Sequence, residues 1–113
     1  MEDRHIVLRK ERSGADVRYL GARLEEDGSL RIEGQDLGPA VESFWGPGQS
    51  EYEWDISGSA ADVPAFVLAL GGAEGDDVLD VLASRFAEDQ MCATKVFLDE
   101  HGIPNDSWTR VGE

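Results

Sequence analysis

Residues 51–56, Glu51-Tyr52-Glu53-Trp54-Asp55-Ile56, alternate acidic and apolar side chains without a break. A period of two puts Tyr52, Trp54 and Ile56 on one face of an extended chain and the three acids on the other. That predicts a strand covering a core on one side and meeting water on the other. Weaker alternation runs through His5–Arg12, with Ile6 and Leu8 on one side, and through Asp16–Glu25, where the pattern slips near Gly21 and predicts a bulge. Glu26-Asp27-Gly28-Ser29 reads as a hairpin turn into a short strand, Leu30–Glu33. Gly34 to Gly48 reads as punctuation around a short helix over Val41–Phe44, with Pro39 in its first turn.

The period then changes. Val63, Phe66, Val67 and Leu70 stand at i, i+3, i+4 and i+7 behind Asp62, and Gly71 stops the helix. Asp76 or Asp77 caps a second helix carrying Val78, Leu79, Leu82 and Phe86. A third spans Gln90–His101, ended by Gly102-Ile103-Pro104, and Trp108 in the tail docks back onto the domain. Strands followed by helices predict an α+β fold in a single domain, 1–113. An antiparallel sheet of about four strands from the N-terminal half would carry two to three helices from the C-terminal half on one face.

Composition supports a packed domain. With 113 residues, 41% hydrophobic and nine aromatic side chains, the chain can bury roughly 65% of its unfolded surface. The charge changes the picture more. The net charge is −14 and it is unevenly spread. Residues 1–23 carry six bases against four acids, while residues 24–84 carry fourteen acids against one base, Arg31. Such a field repels nucleic acid and anionic lipid and attracts basic partners. The N-terminus has no apolar run of signal or membrane-spanning length, and a single cysteine, Cys92, makes no internal disulfide. Both features point to the cytoplasm, with no membrane partner.

Catalytic signatures are missing. There is no Gly-x-Ser-x-Gly elbow, no phosphate-binding loop motif and no clustered His/Cys set for zinc, so the sequence implies no cofactor, no metal and no catalytic residue. Cys92 and His101, nine residues apart on one predicted helix, would face opposite sides of it, so Cys92 reads as a packing residue. His101 suits the C-terminal end of the helix dipole.

Three segments carry a resemblance: Glu33-Gly34-Gln35-Asp36-Leu37-Gly38, Glu51-Tyr52-Glu53 and Leu98-Asp99-Glu100-His101-Gly102-Ile103-Pro104. They resemble a group of small acidic bacterial proteins of uncharacterised function, common in actinomycetes. The resemblance implies a bacterial cytoplasmic origin and one compact domain, and it carries no catalytic role to any residue.

The charge pattern predicts a non-enzymatic binding module, of the immunity or antitoxin type, that inhibits a basic protein. Glu51, Glu53 and Asp55 would steer the partner, Trp45 would anchor it, and Glu33, Asp36 and Glu42 would form the rim. The chain itself would be a monomer or weak dimer. The alternative is a small enzyme or ligand-binding protein with a pocket between sheet and helices, lined by carboxylates such as Asp36 and Glu42. A further reading of the strand acids is protection of an exposed sheet from edge pairing.

Overall fold

The computed structural model describes residues 3–112. Five strands, β1 (Arg4–Ser13), β2 (Asp16–Leu24), β3 (Leu30–Leu37), β4 (Glu51–Gly58) and β5 (Asp106–Gly112), form one antiparallel sheet in simple meander order. Helix α1 (Pro39–Trp45) links β3 to β4. A 3-10 turn, Ala60–Asp62, then leads through α2 (Val63–Ala69), α3 (Val78–Glu88) and α4 (Lys95–Glu100) to the last strand. This is an α+β fold with helices packed against an antiparallel sheet. Among the described residues, no helix is long and apolar enough to cross a membrane.

The sheet has one strand more than its sequence pattern predicts. Trp108 does return to the domain, as expected, but as part of a fifth strand, β5, paired with Asp55. β5 follows the helices because a meander edge can be added by a chain that returns from the far layer, and Trp108, Thr109 and Val111 are good strand formers. β3 also runs past Glu33 to Leu37. Gly34, which reads as a breaker, is held extended inside the sheet because the Trp54 indole lies over it. A Cβ placed there would run into the Cε2 and Nε1 atoms of the ring. Gly34→Ala should therefore displace Trp54 from the core edge and cost about 1–3 kcal/mol, measured by urea unfolding. Gly58→Ala, whose Cβ would find its nearest neighbour at 3.8 Å, is the control. The irregularity expected near Gly21 sits on the partner strand, between Val7 and Arg9 of β1. Gly21 instead makes room for a contact across it, since the Tyr19 hydroxyl and His5 Nε2 are 2.7 Å apart directly above it.

The core lies between one sheet face and the helices. Leu20, Ala22, Leu30, Ile32 and Ile56 meet Phe66, Val67, Leu70, Leu79, Leu82, Phe97 and Leu98 there, all buried. Trp54, assigned to the core by its alternation, packs against this cluster while remaining half-buried. The third helix is shorter than the Gln90–His101 expected. Residues 90–94 form turns, and Thr94 caps α4 by accepting from the Phe97 N–H. Cys92 thus lies outside any helix, buried among the core residues, and burial pushes its thiol up to about 11. His101 Nδ1 lies 2.8 Å from the Phe97 carbonyl oxygen, at the end of α4.

Asp77 caps α3 as its position predicts, accepting from the Leu79 and Asp80 N–H groups, and also pairs with Arg4 of β1. The Arg4 guanidinium is the main reason that the Asp77 carboxyl sits below the usual range. A depressed folded pKa means that this contribution is complete above the unfolded value near 4 and is lost as pH falls through the folded one. Asp77→Ala should cost about 1 kcal/mol at neutral pH. Asp77→Asn keeps the cap, so its deficit relative to wild type should shrink as pH falls below about 4 in pH-resolved denaturation.

Candidate functional site

All the core-forming helices lie on one side of the sheet, so the opposite face carries only what the strands themselves project. Strand alternation and register decide its composition. Glu33 stands directly opposite Asp55, and Asp55 opposite Trp108. One step along, Tyr19, Gln35, Glu53 and Arg110 form the next cross-strand row, and Glu51 follows beside Leu37. Four of the residues expected to meet a partner, Glu33, Glu51, Glu53 and Asp55, are therefore gathered on one uncovered face. Trp108, half exposed at its rim, and Tyr19 join Glu33, Glu53 and Asp55 around a shallow pocket of about 210 Å3.

The acidic row is not unrelieved. Arg110 Nη2 donates to Glu51 Oε1 at 3.3 Å, and its Nε lies 3.6 Å from Glu53 Oε2. Gln35 Nε2 donates to Glu51 at 3.2 Å and to Glu53 at 3.0 Å. A proton shared between the two neighbouring carboxyls would hold Glu51 below the usual carboxylate range and push Glu53 above it. Glu53 is thus the member of the pair that takes up a proton first as pH falls. Arg23 lies 3.9 Å from Glu33, whereas Arg31 turns away to Glu25 at 3.2 Å. Asp55 has no ion-pair partner among the described residues. Burial, with Glu33 as the second cause, pushes the Tyr19 phenol up.

The strand acids do not guard a sheet edge. β4 lies between β3 and β5, so its acids belong to the face of the sheet. The edge strand β1 is basic instead. All six bases of residues 1–23 fall on β1 and β2, dividing the sheet into a cationic margin and an anionic centre.

The other three expected residues lie elsewhere. Glu42 on α1 is turned to the loop that follows, where Oε1 accepts from the Gly48 N–H at 3.0 Å. Trp45 packs on Tyr52, with ring centroids 5.5 Å apart, and Tyr52 alternates with the strand acids, so both rings lie on the face opposite to them. Asp36 shares that face, 3.8 Å from Arg18. Trp45 and the strand acids therefore cannot meet one flat surface together. Asp36 and Trp45 instead line an open cleft of about 860 Å3 between α1 and the end of the β1–β2 hairpin. It differs from the carboxylate pocket that Asp36 and Glu42 would make, because Glu42 is not among its lining residues.

Trp108, Arg110, Tyr19 and Gln35 are the residues of the outer face that sequence reasoning missed. The alternation of Trp108, Arg110 and Gly112 with Ser107, Thr109 and Val111 was the available signal. No protein-family model, no curated protein and no solved structure matches the chain.

Proposed function

We propose that the protein is a non-enzymatic binding module that captures a basic protein through the outer face of its sheet, as an immunity- or antitoxin-type inhibitor does. The observation that carries this reading is the gathering of Glu33, Glu51, Glu53 and Asp55 on a face that no helix covers. Glu33 and Asp55 are like charges directly opposite each other, an arrangement that disfavours the free sheet and that a cation placed between them relieves. Trp108 supplies the aromatic anchor beside them, in the role first expected of Trp45. The partner's Lys or Arg side chains would seat between Tyr19, Asp55 and Trp108, and its cationic site would be blocked by the sheet. The field of a chain at −14 disfavours nucleic acid and anionic lipid as alternatives. The setting proposed is the bacterial cytoplasm, with the free protein a monomer or weak dimer.

The test is affinity purification from the native host, with captured proteins identified by mass spectrometry. The wild type is run beside Glu51→Lys/Glu53→Lys/Asp55→Lys. A basic protein held by the wild type and released by the variant supports the reading. A partner retained equally by both overturns the surface, and an acidic partner overturns the function.

A further inference from the structure

The two edges of the sheet differ in how they meet solvent. Among the described residues, β1 and β5 alone lack a neighbouring strand on one side. β1 carries the devices that keep an edge unpaired: a bulge between Val7 and Arg9, and basic side chains at Arg9, Lys10 and Arg12. β5 carries neither. It holds register with β4 without a break from Asp106 to Gly112, contains no Pro and no Lys, and exposes every residue from Asp106 to Arg110. Trp108, Thr109 and Val111 favour extended backbone. The free backbone groups along its outer edge are therefore open to pairing with another strand.

The side chains select that strand. Asp106, Trp108 and Arg110 share the outer face, opposite Ser57, Asp55 and Glu53 of β4. Laid antiparallel on a copy of itself about a two-fold axis at Trp108, β5 sets Asp106 opposite the partner's Arg110, and Arg110 opposite the partner's Asp106. Ser107 falls opposite the partner's Thr109, and the two Trp108 rings meet at the axis. Opposite charges, hydroxyls and aromatic rings are the favourable cross-strand pairs. The charges are free to make them. Asp106 has no ion-pair partner among the described residues. Arg110 turns Nη2 and Nε toward Glu51 and Glu53, and its Nη1 makes neither a hydrogen bond nor an ion pair among the described residues. We infer that the protein forms a two-fold dimer by antiparallel pairing of β5 with β5, giving one continuous sheet with five strands from each copy. Pairing over Asp106–Arg110 spans roughly 17 Å of strand, a small contact, so the dimer is weak, with a Kd between about 1 μM and 1 mM. It sets two acidic faces side by side, and it does not depend on what those faces bind.

The test is sedimentation equilibrium of the intact protein at rising concentration and physiological ionic strength, where repulsion between two chains at −14 is screened beyond about 8 Å. A monomer–dimer equilibrium is expected, with concentration-dependent amide shifts in NMR spectra centred on Asp106–Arg110. Asp106→Arg sets like charges opposite each other twice in the dimer and should weaken association about tenfold. Glu74→Arg, on the α2–α3 loop, makes the same change in net charge. It lowers the overall repulsion and should leave association unchanged or stronger. Arg110→Asp should weaken association as Asp106→Arg does, and an equimolar mixture of the two variants should restore it, since every charge then meets its opposite. Urea unfolding of each variant keeps loss of the fold apart from loss of the contact. Asp106→Arg alone decides the matter if Arg110→Asp, deprived of its contacts to Glu51 and Glu53, unfolds. A monomer at every concentration, or shifts centred on β1 or α1, overturns the dimer. Association unchanged by Asp106→Arg, weakened equally by Glu74→Arg, or not restored in the mixture of folded variants overturns the pairing.

Discussion

Phe66→Ala is expected to remove about 3–5 kcal/mol of unfolding free energy, the usual cost of deleting a fully buried aromatic ring. Phe66 is 2% exposed and lies where the two layers meet, its ring edge-on to Phe97 at a centroid distance of 6.1 Å. The packing around it is close. The seam leaves a space of about 20 Å3 between Leu30, Ile32, Ile56, Phe66, Leu98 and Ile103. Those neighbours belong to two strands and to the segment around α4, so they cannot all move inward to fill the hole. A domain of this size is stable by roughly 5–15 kcal/mol, so the variant sits near the edge of folding. Urea denaturation should show the midpoint falling with the slope unchanged. Phe66→Leu, which keeps most of the volume, should lose much less. If Phe66→Ala and Phe66→Leu cost the same small amount, the helical layer does not pack on the sheet at this seam.

Reversing Glu51, Glu53 and Asp55 to lysine is expected to slow association with the captured partner about 10–100-fold at low ionic strength, with a smaller change in dissociation. The argument is the location of these charges. They share one uncovered face, and Asp55 has no cation bound to it among the described residues. The effect should shrink as salt rises, because the Debye length is about 8 Å at physiological ionic strength. Total charge alone could also slow association. Reversing Glu74, Asp76 and Asp80, which lie in or beside the α2–α3 loop, makes the same change in net charge away from the face. Stopped-flow rates at two salt concentrations separate the two explanations. An equal loss in both triple variants would mean that the whole-molecule field, and not this face, does the steering.

The site was legible in the sequence in part. Glu51, Glu53 and Asp55 share a face by the period of two alone, and no tertiary information is needed to place them together. Glu33 joins them through the register of β3 on β4, which follows from the apolar pairing of Ile32 with Ile56. Trp45 could not be placed in this way. It comes seven residues before Tyr52 in the chain, yet the turn after α1 decides which sheet face it meets. That turn is built on Gly46, Gly48 and the Glu42 side chain. Asp36 was separated from Glu33 by a residue count that crosses the pleat, once β3 proved to continue through Gly34.

What local sequence settles is the make-up of the two layers: which strand faces are apolar, which helices carry a core stripe, where Asp77 caps α3, and that the acids cluster after residue 23. These properties are set by backbone periodicity and by side chains within a few positions of one another. Long-range packing governs the rest. It carries Asp106–Gly112 back across the sheet to pair with β4, lays Trp54 over Gly34, sets Arg110 among the acids, and sends Trp45 to the face opposite them. Each of these joins residues distant in sequence or depends on a turn's direction, and neither hydropathy nor spacing encodes which distant partner gives the closest packing.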